Sequence, residues 1–284
     1  MADSKYITCN GIQMHYMEEG SGELVVLLHG FPEFWYGWKN QMPVLAEKYR
    51  VVAPDMRGYN LSDKPKAVAD YHMETLAKDI ADLIAALGAQ HAIVVGHDWG
   101  AAVAWAVAAF HPEKVSKLAI LNVPHPKEMS RTFLELNFSQ CLKSWYIFFF
   151  QLPLVPEKVV GTEHFFRNTF HKMLMNKTAI SEEDIQKYVE AYKHRGTAEA
   201  VVAYYRSAFR SMFSKQNPFP KIQAPVLMLW GEHDLALGKE LTYRTQDYCE
   251  KTIEICYDST SGHFVQHDNP AWVNAKLLAF FAQA

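Results

Sequence analysis

The segment Gly96-His97-Asp98-Trp99-Gly100 sets an acidic side chain among small residues, after the apolar run His91–Val95 and before the Ala-rich stretch Trp99–Phe110. Small flanking residues let a chain turn sharply from strand into helix and expose the central side chain. A carboxylate at that point is already anionic at neutral pH, so it can attack an sp³ carbon without a base to activate it. Such an attack leaves an alkyl ester on the protein. Its hydrolysis then needs an activated water and donors for an oxyanion. Asp98 also stands where a helix N-cap belongs, a role that Asp favours.

Candidates for the remaining roles occur in a consistent chain order. His29-Gly30-Phe31-Pro32 directly follows Leu24–Leu28, which makes the backbone N–H groups of Phe31 and Trp99 the expected oxyanion hole. A plain β-turn with proline at a favoured position explains the same residues. Asp234, in Trp230-Gly231-Glu232-His233-Asp234, follows a late apolar run, and His263, in Ser261-Gly262-His263-Phe264, follows the last one. The order Asp, Asp, His suits a nucleophile, an orienting acid and a water-activating base. One histidine among 13 carries little information; His263 is singled out because sites in parallel sheets assemble at the carboxyl ends of strands. For Asp234 the competing explanation is a loop residue capping the segment after Gly238, and Glu232 is the rival acid.

The elements that would position these residues alternate regularly. Tyr6–Cys9 and Ile12–Met17 read as short strands, and LVVLL (24–28) as a strand buried on both faces. Residues 36–48 read as helix, Arg50–Pro54 as strand, Met73–Leu87 as amphipathic helix and Val115–Leu121 as strand. That repetition is what right-handed crossovers in a parallel sheet require. From about Asn122 to Lys221 only helical segments are expected, before Val226–Trp230, Gly238–Tyr248, Thr252–Tyr257 and Ala271–Phe281 resume the alternation. Residues 132–213 hold 16 of the chain's 38 aromatic residues, which suits either a cover over an apolar pocket or that segment's own core.

Composition removes other classes. With 284 residues, 49% hydrophobic and 21% charged, the chain is globular, and its net charge of −3 lacks the basic surplus that nucleic acid demands. Cys9, Cys141, Cys249 and Cys256 show no metal-ligand spacing, so no metal site is expected. No basic n-region precedes an apolar stretch at the N-terminus, which leads to an expected cytoplasmic location. Trp145–Phe150 is too short for a membrane span.

These blocks together resemble the α/β-hydrolase superfamily, and within it the soluble-type epoxide hydrolases, over nearly the whole chain. HGFPEFWYGW (29–38), DMRGYNLSD (55–63), GHDWGAAVAW (96–105), WYIFFFQLP (145–153), YYR (204–206), LWGEHD (229–234) and SGHFVQHDNP (261–270) follow that family's order. One departure is Asn60, where the family's RGYG turn has glycine; Asn also tolerates positive φ.

The resemblance implies a mostly parallel sheet flanked by helices, with a helical cap inserted after the sixth strand. The core would comprise 1–122 and 222–284, and the cap 123–221. It implies Asp98 as nucleophile, His263 as base, Asp234 as its orienting acid, and two cap tyrosines, Tyr146 and Tyr205, that hold the epoxide oxygen. Tyr204 competes for the second place. A small apolar epoxide would be opened to a vicinal diol without metal or organic cofactor, and a homodimer is compatible with everything above.

Two rival functions share this pattern. A haloalkane or fluoroacetate dehalogenase of the same fold also uses an Asp nucleophile, but halide departure needs N–H donors rather than a phenol. The fluoroacetate type typically follows the nucleophile with arginines, where this chain has Trp99-Gly100-Ala101-Ala102. A non-catalytic binding protein of the fold would be expected to have lost at least one of the five side chains, and all are present.

Overall fold

The computed structural model describes residues 2–135, 140, 143–211 and 219–283. Cys141 lies outside them, and the other three cysteines are free. Eight strands form one sheet: β1 (Asp3–Cys9), β2 (Ile12–Glu19), β3 (Leu24–Leu28), β4 (Arg50–Pro54), β5 (Ala92–His97), β6 (Val115–Leu121), β7 (Val226–Gly231) and β8 (Ile253–Asp258). Their spatial order is β1-β2-β4-β3-β5-β6-β7-β8. β2 is antiparallel to β1 and β4, and every later pairing is parallel.

The apolar runs explain this sheet. Successive side chains of a strand point to opposite faces, and in β3 Val26 and Leu28 join one core while Val25 and Leu27 join the other. The first core is closed by the helices α2 (Met73–Ala86) and α3 (Trp99–Phe110), through residues such as Ile80, Leu83 and Trp105. The second is closed by the one-turn helix α1 (Met42–Leu45) and by α11 (Pro270–Phe281), through Leu45, Leu277 and Phe280.

Between β6 and β7 the regular elements among the described residues are helices: α4 (Pro126–Leu134), α5 (Tyr146–Phe149), α6 (Val155–Val159), α7 (Glu163–Met173), α8 (Glu182–Tyr192) and α9 (Thr197–Ser211). A further turn, α10 (Val265–Asp268), precedes α11. The insertion is bound to the sheet by buried polar contacts. Tyr204 donates to the Arg57 carbonyl (2.7 Å), and Tyr188 donates to Glu33 (3.1 Å).

Two expected helices are absent as such. Residues 36–48 form a 3₁₀ turn (Trp35–Trp38) and α1, because Gly37 packs directly on the buried Glu33 carboxylate, 2.6 Å from where a Cβ would stand. Gly238–Tyr248 forms two 3₁₀ turns, Lys239–Thr242 and Thr245–Tyr248. Here the Thr242 hydroxyl bonds the Lys239 carbonyl (2.7 Å), the local competition that disfavours helix propagation at threonine.

Candidate active site

Asp98 ends the turn between β5 and α3 with φ +48° and ψ −124°, a conformation that L-residues avoid and that costs on the order of 1–3 kcal/mol. Its side chain makes no cap bond to the helix. Oδ1 instead accepts the Phe31 amide at 2.7 Å, so the N-cap explanation of this residue fails on geometry. Trp99 opens α3, where a first-turn N–H has no carbonyl partner within the helix.

The turn tolerates no bulk. A Cβ on Gly100 would stand 2.1 Å from the Leu28 carbonyl oxygen, and one on Gly30 would stand 2.3 Å from Asp98 Cβ. Gly100→Ala must therefore push α3 away from β3. We expect it to lower the thermal midpoint by an amount equivalent to about 1–3 kcal/mol or more, with loss of activity. An unchanged melting curve would mean that the turn has slack.

Behind Asp98 lies His263, only 4% exposed, with Nε2 3.5 Å from Asp98 Oδ2. Its Nδ1 donates to Asp234 Oδ2 at 2.8 Å. Asp234 is fixed on its other sides by the Ala236 and Leu237 amides on Oδ1 (2.8 and 3.0 Å) and by Asn122 Nδ2 on Oδ2 (2.9 Å). It thus anchors its own loop and orients the imidazole together. Glu232 is paired with Lys239.

Electrostatics follow from the burial. Desolvation pushes both carboxyls up, but the adjacent His263 outweighs it and holds Asp98 and Asp234 below the usual carboxylate range. For His263, burial lowers the pKa, yet the two carboxylates raise it to about 10. The resting site therefore holds an imidazolium between two anions.

A cavity of about 660 Å³ opens over Asp98 and is lined by Trp99, Met129, Tyr146 and Tyr205 among others. Tyr146 and Tyr205 approach with ring centroids 6.0 Å apart and nearly perpendicular planes. Burial, and after it the Asp98 charge, pushes both phenols above their ordinary value, so both remain hydrogen-bond donors at neutral pH. Tyr204 also borders the cavity, but its hydroxyl is committed to the Arg57 carbonyl.

Two participants were not singled out from sequence. Asn122, at φ +52° after β6, links Asp234 to the Gly231 amide, which donates to its Oδ1 at 3.0 Å. Glu33 is fully buried and accepts from His267 Nε2 (2.6 Å), Gln266 Nε2 (3.0 Å) and the Tyr188 hydroxyl (3.1 Å). Burial raises the Glu33 pKa, but His267 and His97 more than reverse this and hold it far below the usual range. His97 Nε2 in turn donates to the His263 carbonyl (2.9 Å), which ties this network to the backbone of the site. A charged residue directly after the Phe31-Pro32 turn was the one available signal.

Comparison with known proteins places this geometry in context. The family model described as alpha/beta hydrolase fold matches residues 23–270. An AB hydrolase superfamily protein, YfhM of Bacillus subtilis, is 41% identical over 97% of this chain and 96% of its own. Epoxide hydrolase 1 of Caenorhabditis elegans is 37% identical over 98% of this chain and 70% of its own. Among solved structures, the epoxide hydrolase of Bacillus megaterium, crystallised with an inhibitor, superimposes with a TM-score of 0.89 at 30% identity, covering 98% of this chain and all of that one. By sequence over nearly its full length and by fold, this chain belongs to the α/β-hydrolase family, among its epoxide hydrolases.

Proposed function

We propose that the protein hydrolyses small apolar epoxides to vicinal diols in two steps. The observation that carries this reading is the pair of protonated phenols, Tyr146 and Tyr205, facing a carboxylate across one cavity. In the first step an Asp98 oxygen forms a bond to one epoxide carbon. The carbon–oxygen bond breaks as the two phenols hold and protonate the departing alkoxide. Of the adjacent tyrosines, Tyr205 fits the role because the Tyr204 hydroxyl is already engaged.

In the second step His263, oriented by Asp234, takes a proton from water as the water oxygen attacks the ester carbonyl of Asp98; the tetrahedral intermediate then collapses, breaking the bond from that carbon to the diol oxygen, which takes the proton back from His263 and leaves Asp98 as a carboxylate. The Phe31 amide already bonds an Asp98 oxygen and with the Trp99 amide would stabilise the oxyanion. Proton balance fits the resting state. Ring opening consumes one proton, and esterification of Asp98 removes one of the two charges that keep His263 protonated. The base is thereby released when it is needed. In this reading residues 123–221 form a cap over a core of 1–122 and 222–284.

A dehalogenase would offer N–H donors to a leaving halide. Here the side chains sharing the cavity with Asp98 include the phenols Tyr146 and Tyr205, and the Trp99 ring lies edge-on to Tyr205 with centroids 5.0 Å apart, which favours the epoxide.

Replacing both phenols, Tyr146→Phe with Tyr205→Phe, is expected to reduce ring opening by about 10²–10⁴-fold, the usual range for a general acid, with an unchanged melting curve. Turnover within threefold of the parent would exclude them as proton donors. The decisive experiment is a single turnover of styrene oxide by excess enzyme in ¹⁸O-water, with mass spectrometry of the diol and of the Asp98 peptide. Unlabelled diol and labelled Asp98 are expected. Labelled diol would mean direct attack by water, and no diol would exclude the reaction.

A further inference from the structure

The helical insertion carries an outward surface that the reaction does not use. Trp145, Phe148, Leu152, Leu154, Val155 and Val159 are all exposed, Trp145 by 63% and Leu154 by 70%. They fall within residues 145–159 and make up half of the exposed large apolar side chains among the described residues. Isolated exposed apolar residues are ordinary, but a concentrated set marks an interaction surface. Arg206 ties the segment together, donating to the carbonyls of Phe150 (3.2 Å) and Leu152 (2.7 Å) and pairing with Glu157 (2.6 Å). Phe148 extends it to Phe209 on α9, with ring centroids 6.0 Å apart.

Leu154 adds an independent sign. It has φ +64°, a conformation that favours glycine, yet a leucine stands there with its side chain turned to solvent.

Charge identifies the partner. Between 143 and 160 the charged residues are Lys143, Glu157 and Lys158. Both lysines are exposed, whereas Glu157 is turned inward onto Arg206. Arg210, the residue after Phe209 on α9, is exposed as well. A second copy would bring two such sets of cations together. A lipid surface instead offers an apolar layer for the six side chains, an interface suited to Trp145, and anionic headgroups for the cations.

We propose that this face docks reversibly on anionic membrane surfaces. The same turn that presents Trp145 and Phe148 outward supplies Tyr146 and Ile147 to the cavity wall, so docking would set that wall against the phase into which apolar molecules partition. The inference stands on the surface itself and does not depend on the reaction proposed above.

The test is co-sedimentation of the purified full-length protein with vesicles of phosphatidylcholine alone or mixed equally with phosphatidylglycerol. Binding to the mixed vesicles, weakened by salt, is expected. Lys143→Glu with Lys158→Glu should reduce it by roughly tenfold or more, given the usual attraction per cation at such a surface. Leu154→Gly with Val155→Ser, in which glycine suits the backbone at 154, should reduce binding similarly. Both variants should keep the parent melting curve and lipid-free activity, which establishes that they fold. No sedimentation with either vesicle, or equal binding by the variants, would overturn the proposal. So would a monomer–dimer equilibrium that Leu154→Gly with Val155→Ser abolishes while vesicle binding is nil, which would assign the face to a second copy.

Discussion

Asp98→Ala is expected to lower kcat/KM for styrene oxide by about four orders of magnitude or more, the scale seen when a covalent nucleophile is removed from a unit that otherwise stays intact. Alanine is the informative replacement because, unlike asparagine, it has no amide that the adjacent imidazole and water could convert back to a carboxylate. The fold should persist, since Asp98 makes one hydrogen bond to Phe31 and its partner His263 keeps its bond to Asp234. Removing one of the two anions beside His263 should also bring its pKa down from about 10. Steady-state hydrolysis with a thermal melt measures both effects. Activity within tenfold of the parent would show that the nucleophile lies elsewhere.

The second large effect is at His263. His263→Gln should leave ring opening and block ester hydrolysis, so that one equivalent of diol precursor accumulates as a mass increment on the Asp98 peptide while kcat falls by about 10³-fold or more. Intact-protein mass spectrometry after mixing with substrate reads this directly. A variant that turned over without accumulating ester would need another base.

The pH dependence has a defined sign. A base works when neutral, so hydrolysis falls as pH drops through the His263 pKa of the ester form. That pKa lies below the resting value of about 10, because esterified Asp98 no longer carries charge. In the resting enzyme the folded pKa is raised above the unfolded one. The associated stability is therefore fully present below about pH 6.5 and lost as pH rises through about 10. The stability advantage of the parent over His263→Gln should shrink across that window.

Much of the architecture was legible because its causes are local. β3 is a continuous apolar run and β5 is one from Ala92 to Val95, the composition of a strand buried on both faces. The elbow was legible for the same reason: the glycines around Asp98 are needed within a few residues of where they act. Residues 36–48 misled because helical periodicity is local, while the demand on Gly37 comes from a carboxylate buried by partners on α8 and α10.

Chain order and flanking patterns therefore determined the fold class, the strand ends that carry chemistry, and Asp98, Asp234 and His263 as its candidates. Tertiary structure alone decided that His263 reaches Asp234 and Asp98 together, that Tyr204 is engaged by Arg57 while Tyr205 faces the cavity, and that Asn122 and Glu33 hold the frame. The physical reason is distance along the chain. A strand's burial is written in its own residues, but the protonation state and orientation of a buried side chain depend on charges and donors contributed by segments far apart in sequence, which only folding brings within a few ångströms.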